Sequence, residues 1–200
     1  MEMNQSPEPM LSVLTPAVPS RMANLAALCC ELQKQIGDGP VEHLVLLDNR
    51  KRTVGEKRDA LLRAARGRYI AFSDDDDWIA PDYIESLLGA MSTNPDVITF
   101  RQHSTIDGEE SETIFRLGSP NEPFKPGGTH LRNAWHVCAW RRSLAILSSF
   151  PPVDFGEDWA FCRLLCGLAG LREVHLDKVL HYYKHDSTKS EAPPPVDTAA

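Results

Sequence analysis

Four consecutive aspartates, Asp74-Asp75-Asp76-Asp77, follow the segment Tyr69-Ile70-Ala71-Phe72-Ser73. Adjacent carboxylates repel one another, so such a run costs stability unless a cation accompanies it. Hard oxygen ligands at a strand end suit Mg2+ or Mn2+, ions that also bind diphosphates. Strand alternation sends Asp74 and Asp76 the same way. The competing reading is a charged turn ahead of the helix that Pro81 opens. A second acidic group lies in Phe155-Gly156-Glu157-Asp158-Trp159. Acids at a helix start also act as caps, because they favour the positive end of the helix dipole. Between the first acidic run and the N-terminus, Arg50, Lys51, Arg52, Lys57, Arg58, Arg63, Arg66 and Arg68 crowd one stretch. A basic stretch beside an acidic cluster can serve a phosphate and a metal in one site; it can equally be a solvated helix face. His136, in Trp135-His136-Val137-Cys138, is a candidate to line an acceptor pocket, or else a satisfied strand histidine.

These residues need a frame. Leu11 to Leu14 reads as a strand ending at Thr15-Pro16. Met22, Leu25, Cys29, Leu32 and Ile36 recur at helical spacing, and Gly37 stops that helix. His43 to Leu47 reads as a strand covered on both faces and ending at Asp48. Val54 to Ala65 predicts a helix with Leu61, Ala64 and Ala65 inward and Gly67 as its stop. Tyr69 to Phe72 is a third strand. Tyr83, Leu87, Leu88 and Met91 form the apolar face of the helix after Pro81, and Val97 to Phe100 is a fourth strand. This alternation predicts an α/β fold with a parallel sheet and right-handed crossovers.

The second half is more mixed. A hairpin is expected at Asp107-Gly108, a loop over Asn121 to Gly128 and a strand over Ala134 to Trp140. Helices are expected over Arg142 to Leu147 and Glu157 to Leu168, then short strands at Val174 to Leu176 and Val179 to Tyr183. Residues 1–9 and 189–200 read as flexible or disordered tails. Ligands of open parallel sheets sit beyond the carboxyl ends of the strands, so Thr15, Asp48 and Asp74 to Asp77 are expected to face one crevice.

The chain has 200 residues with 42% apolar content, which suits one globular domain. No apolar run has the length of a membrane span, and the polar start does not read as a secretory signal, so the expected compartment is the cytoplasm. Five cysteines match no zinc spacing and are expected to be small buried apolar residues. A net charge of −7 argues against sequence-independent nucleic-acid binding.

Residues 10–102 resemble the nucleotide-sugar half of the GT-A glycosyltransferases, particularly family 2. The resemblance rests on Gly55-Glu56-Lys57-Arg58-Asp59, Ala65-Arg66-Gly67-Arg68-Tyr69-Ile70-Ala71-Phe72, Asp74-Asp75-Asp76-Asp77 and Pro81. Asp59 departs from it, standing where the family often has Asn. The resemblance implies a Rossmann-like, mostly parallel sheet with a mixed C-terminal half. It divides residues 10–188 into a nucleotide-sugar half, 10–102, and an acceptor half, 103–188. It also implies a metal-dependent, inverting transfer from a nucleoside-diphosphate sugar, UDP-linked in the first instance, with Mn2+ or Mg2+ as cofactor.

By the same resemblance, Asp76 is the direct metal ligand, with Asp74 near the donor ribose or a metal-bound water. Asp75 belongs to the donor site and Asp77 supports it from behind. Thr15, with Pro16, and Asp48 would flank nucleobase and ribose, while Lys57 or Arg58 would face the base or diphosphate. Asp158 is implied as general base and Glu157 as the neighbour that orients the site. Related enzymes often close with a Tyr-rich strand and a His or basic residue, which in Val179–Ser187 points to His185 with Lys184. His181 competes with it for the metal or diphosphate, or is a core histidine.

The acceptor is expected to be a hydroxyl, on a saccharide or on a hydroxymethylated DNA base. The oligomeric state is not legible. Two other readings compete. A nucleotidyltransferase also pairs acids with a divalent ion, but the turn Thr15-Pro16-Ala17-Val18-Pro19-Ser20-Arg21 lacks the glycine it would need. A catalytically silent binding module would have little reason to keep both acidic groups.

Overall fold

The structure is a computed structural model in which residues 8–186 are described. Residues 189–200, Ser187 and most of the segment 1–9 lie outside that range. Strand β1 (Leu11–Ala17) is buried along its whole length and pairs in parallel with β2 (Val41–Leu47) on one side and β3 (Tyr69–Phe72) on the other. Helix α1 (Met22–Ile36) joins β1 to β2 and seats Leu25, Leu28 and Leu32 inward. Helix α2 (Val54–Ala64) joins β2 to β3. Its start is fixed by Thr53 and Glu56, which satisfy each other's backbone N–H groups in a capping box.

After β3 the chain makes a turn, then a two-residue strand β4 (Trp78–Ile79), helix α3 (Tyr83–Met91) and the long strand β5 (Val97–Ile106). β5 turns back at Asp107-Gly108 into β6 (Glu109–Phe115), as expected of a hairpin. Then come β7 (Thr129–Arg132), β8 (Ala139–Arg141), α4 (Arg142–Ala145), α5 (Glu157–Cys166) and β9 (Glu173–His185). Among the described residues the sheet order is β2-β1-β3-β8-β5-β6-β7, with β9 against β5 and β4. The expected α/β architecture, parallel at one end and mixed in the second half, is what the chain forms.

Several local expectations are corrected. β5 does not lie beside β3: β8 inserts between them, antiparallel to both. Trp140 explains the insertion, since it is fully buried and its indole N–H donates to the Trp135 carbonyl at 2.9 Å. The strand expected from Ala134 is therefore only Ala139–Arg141, and residues 134–138 are a buried connection. β2 is an edge strand rather than a doubly covered one. Val45 and Leu47 point outward, 39% and 46% exposed, while Leu44 and Leu46 pack on the core. Ala64 is exposed and Leu62 takes the inward place. β1 runs on through Thr15 and Pro16 to Ala17. The two expected C-terminal strands are one, because β9 follows β5 in parallel across a register shift near Arg101. The helices expected over 142–147 and 157–168 end earlier, at Ala145 and Cys166. Of the cysteines, Cys138 and Cys162 are buried, whereas Cys30 is exposed on the outer face of α1.

Gly67 has a different cause from the one expected. Its backbone N–H donates to Ser12 Oγ at 2.8 Å, and a Cβ there would meet the Ser12 amide nitrogen at 2.5 Å and the Leu11 carbonyl carbon at 2.7 Å. The residue lets the α2–β3 connection pass against β1. Gly67→Ala is expected to destabilise the fold by about 1–3 kcal/mol, because backbone atoms must give way. Urea denaturation checks this; an unchanged midpoint would contradict it.

Candidate active site

The acidic run lies at the carboxyl end of β3, where the chain leaves the sheet. Its four side chains diverge. Asp74 faces α2, where Arg58 donates from one Nη to both of its carboxylate oxygens, at 2.9 and 2.7 Å. Asp75 is buried and accepts from the Val18 amide at 2.8 Å and Arg21 at 3.0 Å. Asp76, on the open side, lies 3.1 Å from the Arg21 guanidinium with its side chain 31% exposed. Asp77 is buried 3.2 Å from Nε2 of His181 on β9, whose Nδ1 contacts Gln102 on β5. The run is not a charged cap on α3, since β4 stands between them. It is the point where β1, α2 and β9 converge.

Too few cations serve these carboxylates. Burial first, then the charges of Asp77 and Asp74, push Asp76 up to about 7 despite Arg21. Asp77 is raised by burial, with His181 opposing. Two buried polar atoms of the turn lack partners among the described residues, Ser73 Oγ and Asp77 Oδ1. Native structures leave few such atoms unsatisfied, so this cluster marks a place built for something more.

The second acidic group arrives at the same place. Gly156, in the left-handed region at φ 79°, starts α5 and turns Glu157 inward. Glu157 is buried against the other Nη of Arg58. Burial opposes the Arg58 charge, but Asp74, Glu157 and Asp158 together raise its pKa. Burial also pushes Glu157 up to about 7, with Arg58 pulling the other way. One buried guanidinium thus ties two acidic motifs from opposite halves of the chain into a single constellation. Asp158, beside Glu157, keeps its side chain 26% exposed and lies 3.7 Å from Nδ1 of His136. His136 is held neutral, chiefly by burial and then by Arg58, His181 and Arg132, so this contact is no ion pair.

Lys57 and Arg58 are not a solvated face; both are almost fully buried. Lys57 Nζ donates to the Ala17 carbonyl at 3.3 Å and lies 3.6 Å from Asp48. Asp48 also accepts from the backbone N–H groups of Arg50 and Arg52, so its carboxylate organises the loop after β2. Thr15 is buried with its hydroxyl 2.9 Å from His43 Nε2, and Pro16 is buried beside it in β1. His185 is buried and shares the side of β9 that carries His181 and Tyr183. Burial first, and then the charges of Asp77, Asp74, Asp76 and Asp158, raise the Tyr183 phenol. His136 sits in a buried connection rather than a strand.

Arg21 is a site residue that sequence reasoning missed. It touches both Asp75 and Asp76, and its only sequence signal is a lone arginine at the end of the β1–α1 turn. Arg132 is another: it stacks 4.0 Å from the centre of the Trp135 ring, within electrostatic reach of Asp158.

Known proteins share this fold. The fold is similar to crystal structures of S. aureus TarS. The complex of TarS 1-349 with UDP-GlcNAc matches with a TM-score of 0.62 and 16% identity, over 88% of this chain and 58% of that one. The TarS 1-349 complex with UDP matches with a TM-score of 0.60 and 16% identity, over 87% of this chain and 60% of that one. The likeness to TarS concerns the fold. EpsH of Bacillus subtilis (strain 168), a glycosyltransferase by name, is 36% identical over an alignment of 64 residues that covers 28% of this chain and 19% of EpsH. The chain therefore spans about a fifth of EpsH and under two thirds of the TarS chains. The sequence model of Glycosyl transferase family 2 matches residues 23–146, more than half of the chain, from α1 through the acidic turn to α4. With the fold, the acidic turn at the end of β3 and this match in agreement, the chain belongs to glycosyl transferase family 2.

Proposed function

We propose that this protein transfers a sugar from a nucleoside-diphosphate sugar to an acceptor hydroxyl, with inversion at the anomeric carbon. The observation that carries the reading is Arg58, which joins Asp74 of the acidic turn to Glu157 of the α5 start. Two motifs far apart in sequence are thereby held in one site. A UDP-linked donor is supported by the bound ligands of the structurally similar TarS complexes. Residues 10–102 would supply the donor side and 103–188 the acceptor side, with β5 crossing from one to the other.

The residues fit a divalent cation of the kind that keeps most of its ligands from phosphate and water. No group of three or more His, Cys, Asp or Glu among the described residues is arranged to hold a metal alone. Mg2+ needs only one or two carboxylates plus substrate phosphates. Asp76, partly exposed and shared with Arg21, is the carboxylate that would reach the cation, with Asp74 beside it and His185 the imidazole candidate. When bound, such a cation would neutralise the charge developing on the departing diphosphate.

The chain's own residues do the rest. Arg21 and Arg58 fix the acidic turn. Glu157, locked by Arg58, anchors the first turn of α5 and so holds Asp158 at the acceptor side. Asp158 takes the acceptor hydroxyl proton as that oxygen attacks the anomeric carbon. No carboxylate on the opposite face is needed as a nucleophile, so the displacement is single. The proton NMR coupling of the product's anomeric centre tests this: an α-linked donor should yield a β-linked product, and an α-linked product would contradict the mechanism.

The cation's role has its own test. A carboxylate raised to about 7 must lose its proton to bind a cation, so cation-supported UDP affinity should rise with pH through about 7. Asp76→Asn should abolish the cation dependence at every pH. Calorimetry showing Mn2+-dependent UDP binding unchanged in that variant would remove Asp76 from the role.

A further inference from the structure

A cavity of about 310 Å3 opens along α5 on the side away from Arg58, lined by Asn121, Asn133, Trp135, Trp159, Arg163 and Cys166, among others. We infer that it binds a sugar ring of the acceptor, next to the reacting hydroxyl; the inference rests on the transferase reading above. Its volume falls at the lower end of the range of about 300–1,000 Å3 typical of small-molecule sites, enough for one ring.

The chemistry of the lining is matched to such a ring. A pyranose has an apolar C–H face and a rim of hydroxyl oxygens. Trp159 is 43% exposed, so its indole offers a flat apolar platform. Arg163 sits 5.0 Å from the centre of that ring and stiffens it from one side. Trp135, capped by Arg132, forms a second aromatic wall. Both asparagine amides are oriented. Asn133 Oδ1 accepts from the Gly118 and Ala134 amides, each at 2.9 Å, and Asn121 Oδ1 accepts from the Asn133 amide at 3.1 Å. Their Nδ2 groups therefore remain as donors with no acceptor among the described residues. With the Arg163 guanidinium, the polar side of the cavity is made of donors, which suits a ligand rich in hydroxyl oxygens.

Position supports the same occupant. Asp158, Cys162 and Cys166 lie one helical turn apart along α5, and Trp159 and Arg163 form the adjacent ridge. Cys162 and Cys166 line the cavity, so it begins about one helical turn from the proposed base, where the rest of an acceptor must lie. A hydroxymethylated DNA base would bring the phosphates of its strand against a chain of net charge −7, so the charge favours a neutral or weakly charged saccharide.

The test is titration of the protein, without donor, with a panel of methyl glycosides and disaccharides and with hydroxymethylated nucleosides, followed by protein NMR shifts and tryptophan fluorescence. At least one saccharide should bind and perturb the Trp159 indole. Trp159→Ala should weaken it about tenfold or more, and Trp159→Phe should restore most of the loss. UDP affinity should be the same in all three proteins, which also shows that they are folded. Saccharide binding that is indifferent to Trp159→Ala would overturn the inference, as would binding of nucleosides alone or of no member of the panel. The transferase reading fails separately: a protein that binds saccharide through Trp159 but turns over no nucleotide sugar would keep the subsite and lose the reaction.

Discussion

Replacing Asp158 with Asn is expected to lower turnover about a hundredfold or more while nucleotide binding persists, because a positioned general base contributes about that much. The two acids at the start of α5 have different surroundings, and these decide which one is free to act. Glu157 is buried and committed to Arg58. Asp158 remains partly exposed, with no cation at ion-pair distance among the described residues, since its neighbour His136 is held neutral by burial first and nearby cations second. Asparagine preserves the shape and keeps the oxygen that accepts from the Trp159 amide, so the loss should be chemical rather than structural. Steady-state product formation, measured beside UDP calorimetry, separates the two. Near-normal turnover in the variant would reduce Asp158 to a helix cap.

The second large effect is expected at Arg58. Arg58→Met leaves Glu157 buried without its partner and frees Asp74, and breaking a buried pair in this way typically costs about 3–5 kcal/mol. The cost should depend on pH. Glu157 is already raised to about 7 with Arg58 present, and removing the cation raises it further. A carboxylate whose folded pKa exceeds its unfolded value contributes stability that is full below the unfolded pKa and lost as pH rises through the folded one. The variant should therefore be closer to the parent at pH 5 than at pH 8, and Glu157→Gln in the same background should recover part of the alkaline loss. Guanidinium denaturation at both pH values checks this. A pH-independent loss would mean that packing, not charge, dominates at Arg58.

Much of the frame is legible in the sequence because its signals are local. The spacing in α1, the apolar run of β3 and the Asp107-Gly108 turn each specify an element without reference to the rest of the chain. What escapes is decided at long range. Nothing near Ala139-Trp140 tells that this short strand slips between β3 and β5, because the hydrogen bonds that reward it come from partners over forty residues away. The apolar run of β2 looks doubly covered, yet only sheet order decides that it is the edge.

The site divides in the same way. Asp74 to Asp77 and Glu157-Asp158 stand out as charge clusters. That Arg58 joins them depends on α2 packing against both β1 and α5, which no spacing reveals. Arg21 escapes for a related reason: a lone arginine after a turn gains meaning only when the carboxylates it touches are folded next to it.

The central claim is that the acidic turn and the α5 start form one site for sugar transfer from a nucleotide donor. The most direct measurement is release of nucleoside diphosphate across a panel of nucleotide sugars, with and without Mn2+, in the parent protein, Asp76→Asn and Asp158→Asn. The account predicts release from at least one donor in the parent protein, dependent on the ion, lost in Asp76→Asn and reduced about a hundredfold or more in Asp158→Asn. Release that proceeds equally in all three proteins, or from no donor in the panel with any acceptor supplied, would contradict it.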